Sequence, residues 1–392
     1  MRQRKPLILL VLALLALNPL FAEYLEEPFR ILSSRAHSIG GIHAADTYDM
    51  GTLFTNPAGF QRVEPQVAFS EFTLGLRGPV FDIADVVVQA MGGGGDFSEI
   101  LGSDSVQNML SGLYAGMNLI TPFYFGYVGN GLGLGIFNNS DITFQESAPL
   151  TLGITLKEEL LLAGGYTYRV PLPQDSDHIL DVGLLLKGGL RGSVHVTEAF
   201  ANLMNLDISA DTILDSPFTF TAIIGLDAGL LYSWKDRFSL GVTVLDLFSP
   251  SSRKTYSNLD AMLGGSENPL STETGAVPAS LNVGVGISPP LGPLERYISR
   301  LSLFVDYRDI LGLWLYQEIY RNPWLRLSAG AELTMLEIFS LRGGLNGGLL
   351  SAGLGVDLSL FTLNIAMFGT ELGSEPGVQP IYNLMLGVEF RY

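Results

Sequence analysis

The last ten residues, Asn383 to Tyr392, sort their side chains onto two faces with a period of two. Successive side chains of an extended strand point to opposite sides, so Leu384, Leu386, Val388, Phe390 and Tyr392 share one face and Asn383, Met385, Gly387, Glu389 and Arg391 the other. One face suits hydrocarbon and the other, carrying both charge signs, suits a wet interior. That alternation is what a strand in the wall of a membrane β-barrel requires. A strand closing on an aromatic also predicts an assembly signal, with Leu386, Val388, Phe390 and Tyr392 presented to barrel assembly machinery.

The opposite end of the chain points to export. Arg2, Arg4 and Lys5 precede an apolar run from Leu7 to Leu17, and Leu20-Phe21-Ala22 offers a cleavage site before Glu23. This pattern predicts a signal peptide over residues 1–22. The alternative, an uncleaved anchor, requires a run closer to the roughly 20 residues that span a bilayer as a helix. No later stretch is a continuous apolar 20-mer, yet the chain is 47% hydrophobic and its mean hydropathy is +0.32. The apolar content is therefore spread over short strands, because only helices and closed barrels satisfy the backbone inside a membrane.

Length and charge narrow the class. At 392 residues the chain suits a barrel of medium size, and the absence of cysteine excludes disulfides, a thiolate metal site and a lipidated N-terminal cysteine. Without the three leader cations, the 22 Lys and Arg fall to 19 against 39 Asp and Glu. Such acidity argues against nucleic acid or an anionic ligand as the main partner.

Period-two segments recur along the chain. Residues 280–288 set Leu281, Val283, Val285 and Ile287 against Ser280, Asn282, Gly284 and Gly286. Residues 325–333 place Leu325, Leu327, Ala329, Ala331 and Leu333 outward and Arg326, Ser328, Gly330 and Glu332 inward. Similar segments near 66–76, 113–128, 131–139, 158–170, 178–193, 217–232, 237–247, 299–309, 337–346, 348–358, 360–369 and 381–392 bring the expected count to about fourteen strands. The fold class is all-β, a transmembrane antiparallel β-barrel spanning residues 64–392. Residues 140–156 leave room for a further hairpin. Residues 92–112, 196–215 and 250–276 do not alternate and predict long loops with short helices. The Gly92–Gly95 run within the first follows no Rossmann unit and lacks a Walker lysine, so it is a hinge and not a phosphate cradle.

Residues 23–63 precede the first convincing strand. They hold Ser34-Arg35-Ala36-His37-Ser38-Ile39-Gly40-Gly41-Ile42-His43-Ala44-Ala45-Asp46, then Leu53-Phe54-Thr55-Asn56-Pro57-Ala58-Gly59-Phe60. Asn56 can close an Asx turn, Pro57 fixes φ, and Ala58 and Gly59 permit a close backbone approach to a wall. On a purely local reading this is a turn feeding the first strand. The longer order, Arg-Ala, Gly-Gly, Ala, Asp and then Asn-Pro-Ala-Gly, resembles the N-terminal plug of the FadL/TodX outer-membrane transporters and of related spirochaetal and PorV-type barrels. The resemblance covers about 40 residues and the general plan. It implies a plug containing Asp46, Asn56, Pro57, Ala58 and Gly59, passive uptake of hydrophobic small molecules such as long-chain fatty acids, and a lateral exit at a strand kink. Pro122 and Gly126, or Gly131 to Gly135, are kink candidates, although small residues also merely accommodate curvature.

His37 and His43 lie near Asp46 and Asp49, but the spacing matches no familiar metal site and no Ser/His/acid set can be assembled, so no cofactor, metal or enzyme activity is expected. Arg300, Asp306, Arg308, Arg326, Glu332, Arg342, Asp357, Glu389 and Arg391 fall on inward faces with mixed signs, predicting mutual pairing, plug contacts and low conductance. Trp234, Trp314 and Trp324 should mark the two headgroup levels. The expectation is a monomer in the bacterial outer membrane, in contact with its lipid and with a hydrophobic ligand. A surface barrel serving as an adhesin or as a docking partner for secreted proteins is the rival.

Overall fold

The structure, a computed structural model, describes residues 23–79, 113–120, 124–148, 151–173, 177–199, 210–235, 237–265, 267–314 and 321–392. The expected signal peptide, the Gly92–Gly95 run and Pro122 lie outside these residues. Fourteen antiparallel strands close into a barrel. They are β1 (Gln66–Arg77), β2 in two pieces (Tyr114–Ile120 and Phe125–Gly129), β3 (Leu132–Ala148), β4 (Thr151–Val170), β5 (His178–Ala199) and β6 (Phe218–Trp234). Next come β7 (Phe238–Phe248 and Pro250–Tyr256), β8 (Ser271–Ala276 and Ser280–Ile287), β9 (Ile298–Tyr307) and β10 (Leu327–Met335). The wall ends with β11 (Phe339–Asn346), β12 (Leu349–Asp357), β13 (Phe361–Glu371) and β14 (Pro380–Arg391). Strand β14 pairs with β1, from Asn383 opposite Arg77 to Arg391 opposite Ala68, and Val67 and Tyr392 exchange backbone bonds of 2.7 and 2.8 Å. No free edge remains at this seam, which is how a barrel satisfies its backbone in lipid.

The alternation read in the sequence is the two-sidedness of this wall. Leu162, Leu184, Leu186, Ile224, Leu354 and Met367 are exposed on the outside, while Ser302, Asp306, Ser328, Glu332 and Asn383 are buried inside. Leu386 and Phe390 face out, as the period requires, and Tyr392 follows the final strand exposed. Leu325 departs from the expected face: it sits in a 3-10 turn before β10 and is buried. Among the described residues no helix is long and apolar enough to cross a membrane.

The barrel is taller on one side. Strands β3, β4 and β5 run for 17, 20 and 22 residues, against 8 to 12 for β9 to β14. About 9–11 tilted residues cross a bilayer, so the short side just spans it and the tall side projects beyond. Residues 140–156 are the tip of the β3–β4 hairpin, with Glu146 opposite Leu152, and not a separate hairpin. Part of the expected loop over 250–276 is also wall: Pro250–Tyr256 pairs with β6 and Ser271–Ala276 with Pro250–Tyr256, leaving a short helix at Leu259–Gly264. The long connections gather at one end, the loop end, and the tight ones at the other, the turn end. Trp314, Trp324 and Tyr382 are exposed at the loop end and Trp234, Tyr168 and Tyr297 at the turn end, two aromatic levels that flank the apolar belt.

Candidate functional site: the filled lumen

Residues 23–63 line and fill the inside of the barrel. The chain enters as a two-residue strand, Tyr24–Leu25, laid parallel against Gly275 and Ala276 of β8, where β9 offers no partner. Helix α1 (Ser34–Ser38) follows, with Ser33 capping the Ala36 N–H; then come helix α2 (Thr52–Thr55) and a 3-10 turn at Pro57–Gln61.

Toward β9–β13 the contacts are ionic. Glu332 of β10, fully buried, accepts from Arg35 Nη2 at 2.6 Å, Arg342 Nε at 2.7 Å and Arg300 Nη2 at 3.0 Å. Arg35 also reaches Asp46 at 2.7 Å and Asp49 at 3.4 Å. Burial by itself works against the Arg35 charge, but Asp46, Glu332 and Asp49 outweigh it and hold the guanidinium well above its ordinary value. The Tyr48 ring lies beneath the guanidinium groups of Arg35 and Arg300. Between the two helices, His43 sits with Nδ1 2.5 Å from Asp306 Oδ2 and Nε2 2.6 Å from the Ile39 carbonyl. The Ala44 N–H completes the Asp306 site at 2.7 Å.

Toward β2–β6 an apolar cluster lies beside ion pairs from Glu26 to Arg191, Glu27 to Lys157 and Arg62 to Asp181. Phe29, Met50, Leu53, Phe54 and Phe60 cluster with Ile120, Tyr124, Val128, Phe137, Leu161 and Leu185 of the wall. Phe137 meets Phe54 and Tyr124 edge-on at 5.0 and 4.9 Å.

Between the two sides, the Asn56 motif fixes backbone against wall. Asn56 Oδ1 accepts from the Ala58 N–H at 3.0 Å, the Asx turn read from the sequence, and its Nδ2 donates to the Ala44 carbonyl at 2.7 Å. Thr167 of β4 donates to the Pro57 carbonyl at 2.5 Å. The close approach to the wall is made by Asn56 to Ala58 and not by Gly59, which lies within the segment against Thr47 and Thr52. What admits it is glycine on the wall side: a Cβ at Gly183 would stand 2.2 Å from the Pro57 carbonyl carbon and one at Gly229 2.0 Å from Asn56 Oδ1. On the opposite wall, a Cβ at Gly344 would stand 2.3 Å from the Gly40 nitrogen. Those wall glycines carry no mark in the sequence. Their signal is an inward strand position left empty, visible only once a segment is known to lie against it.

The inward charges pair largely as expected, with two exceptions. Arg308, just past β9, meets no carboxylate among the described residues and donates instead to Asn346 Oδ1. Glu389 stands directly across from Glu71 and keeps a buried Oε1 without a partner. Among the described residues no three His, Cys, Asp or Glu side chains gather as a metal set.

Strand β1 pairs with the two pieces of β2 over Gln66–Ala68 and Thr73–Arg77, and residues 121–123 between the pieces lie outside the described residues. Gly126, in the second piece, has Met50 of the luminal segment against it. Gly131, by contrast, forms the tight β2–β3 turn at φ +81°, and Gly133 and Gly135 pair regularly within β3.

A closed wall, an outward apolar belt and a filled interior define a plugged transmembrane β-barrel. The chain is similar in course to the Pseudomonas putida toluene transporter TodX, at 11% identity over 94% of this chain and 98% of that one with a TM-score of 0.45. It is similar also to the monoaromatic hydrocarbon channel CymD, at 10% identity over 91% and 96% with a TM-score of 0.45. A Pseudomonas aeruginosa FadL homologue aligns at 11% identity over 92% and 98% with a TM-score of 0.41. No protein-family model matches the chain, and no curated protein matches its sequence. Identity this low transfers neither a ligand nor a residue role.

Proposed function

We propose that the protein is an outer-membrane transporter that passes hydrophobic small molecules, long-chain fatty acids among them, down their gradient through a plugged barrel. The observation that carries this reading is the apolar cluster inside the wall. A water-filled porin has a polar interior, whereas here Met50, Leu53, Phe54 and Phe60 meet Tyr124, Phe137 and Leu161. An apolar ligand that displaced part of this cluster would stay out of water until it reached the wall. Residues 23–63 act as the plug, and the wall at Gly126, against Met50, is the candidate lateral exit. The barrel works as a monomer placed by barrel assembly machinery.

The test is binding of a labelled long-chain fatty acid, and of toluene, to the purified protein. Binding should be saturable and lost on deleting residues 24–62, with Phe60→Asp as a variant that keeps the chain complete. No binding of either ligand overturns the transport reading. The projection of β3–β5 beyond the bilayer favours a second reading, docking of a secreted protein on the tall side, and a stoichiometric partner copurifying with a ligand-free barrel would support it.

A further inference from the structure

At the loop end of the short side, a cavity of about 300 Å³ opens above the luminal segment between β8, β9, β11 and β13. Four arginines line it, Arg30, Arg308, Arg321 and Arg326, against two carboxylates, Asp309 and Glu371. In a chain with a net charge of −17 that local excess of cations is unusual. Both carboxylates are already engaged. Asp309 pairs with Arg326, and Glu371 accepts backbone N–H groups from Gly373, Gly377 and Gln379 at 2.8, 2.7 and 2.7 Å.

The arginines are not equally satisfied. Arg30 reaches Asp246 at 3.2 Å, outside the cavity lining, and Arg321 donates to the Glu371 carbonyl at 2.5 Å. Arg308 has only the neutral Asn346 oxygen. The Nε atoms of Arg30, Arg308 and Arg326 are buried without any acceptor. Burial pushes Arg308 down to about 10, and the nearby Arg30 and Arg321 charges add to that, while Asp306 and Asp309 oppose it. The guanidinium is thus buried with a neutral oxygen as its side-chain partner and one N–H unmet. Planar guanidinium forks match the oxygens of a tetrahedral oxyanion, and buried N–H donors are costly to leave unmade.

We propose that this cavity is an anion site for a phosphate group, separate from the apolar cluster and independent of whether the barrel transports. Its apolar lining is limited to Ile42 and Leu325, too little to seat an acyl chain, so what enters is a headgroup or a free ion. The phosphate can come from a phosphorylated glycolipid of the surrounding leaflet or from solution, and the two sources are separable.

Calorimetric titration of the full-length folded barrel with inorganic phosphate should give saturable binding, weakened about tenfold or more in Arg308→Gln and in Arg321→Gln. Arg296→Gln, at the turn end, should bind as the parent does. Arg321 is exposed at the rim, so its variant stays informative even if Arg308→Gln folds poorly. Barrels reconstituted into nanodiscs carrying a diphosphorylated lipid A, compared with its dephosphorylated form, then assign the source. Loss of phosphate binding only with the phosphorylated lipid identifies the headgroup, and equal binding in both identifies a free oxyanion. No saturable binding up to concentrations on the order of 10 mM, or binding indifferent to both arginine variants, overturns the site.

Discussion

The luminal segment meets two unlike surfaces. On the β9–β13 side its contacts converge on two carboxylates, Glu332 and Asp306; on the β2–β6 side undirected packing around Phe60 and Phe137 forms the centre, with scattered ion pairs at Glu26, Glu27 and Arg62 around it. An ionic cluster in a dry interior has one good geometry, because each charge moved off its partner meets a desolvation cost of several kcal/mol. An apolar cluster has many near-equivalent arrangements. The difference implies a segment pinned on one side and able to rearrange on the other. The movable side is the one where Met50 lies against Gly126 of the wall.

The sharpest way to break this contrast is Glu332→Gln. Three arginines lose their shared carboxylate while side-chain shape is kept, and stranding buried charge costs about 3–5 kcal/mol. The urea midpoint for unfolding in lipid vesicles should fall accordingly, and planar-bilayer conductance should rise from a low parental level as the segment loses its anchor. Conductance and midpoint both unchanged would mean that the ionic side pins nothing. The double variant Arg35→Met/Glu332→Leu should recover part of the loss, since it removes both sides of the contact.

Phe60→Ala tests the other side. Emptying a fully buried ring site costs about 3 kcal/mol, with the spread set by how well the surrounding side chains close the gap. If this side is the adaptable one, conductance should change less than in Glu332→Gln for the same loss of stability, and fatty-acid binding should change more. The reverse ranking would exchange the roles of the two sides.

Much of the wall was legible because its pattern is imposed by the solvent on each face. From β9 to β14 the strands are barely longer than the bilayer requires, one face meets lipid, and the register shifts only near two strand ends, at Ile298–Arg300 and Phe390–Arg391. The tall side was harder to read. Lys157, Glu158 and Glu159 are three charges in a row where the expected strand began, yet they lie inside a longer one and straddle the wall: Lys157 reaches Glu27 inside, Glu158 accepts from Ser140, and Glu159 holds Arg191. Residues 250–276 were obscured by the break at Ser249 between the pieces of β7 and by Val277–Ala279 between those of β8. The Asn56 turn was readable because an Asx turn is local chemistry. The partners of that turn, Gly183 and Gly229, were not, because nothing in a strand's own sequence says which inward position a distant backbone will cross.

Gly229→Ala measures how tightly that crossing is set. The new Cβ would collide with Asn56 Oδ1, and overpacking of this kind costs about 1–3 kcal/mol. The same change at Gly188, where a Cβ meets nothing within 4 Å, is the control. Equal urea midpoints for the two variants would show that Asn56 shifts freely and does not register the segment against the wall.

The smallest effect expected comes from His37, stacked on Phe368 of β13 with ring centroids 4.0 Å apart. Burial pushes its imidazole down to about 4, and the Arg308 charge adds to the shift. Well above pH 6.5 the ring is neutral in both folded and unfolded chains, so pH has no leverage through it. As pH falls through 6.5 toward 4, the unfolded chain takes up a proton that the folded one refuses, and stability declines by about 2 kcal/mol at pH 5. Below about 4 both states carry the proton and this contribution stops changing. His37→Phe keeps the stacked ring and removes the titration, so its urea midpoint should drop less between pH 7 and pH 5 than the parent's does. A decline of equal size in parent and variant would place the pH sensitivity elsewhere. It would also remove His37 as a reporter of the nearby Arg308 charge, whose neutralisation by bound phosphate should shrink the parent's decline.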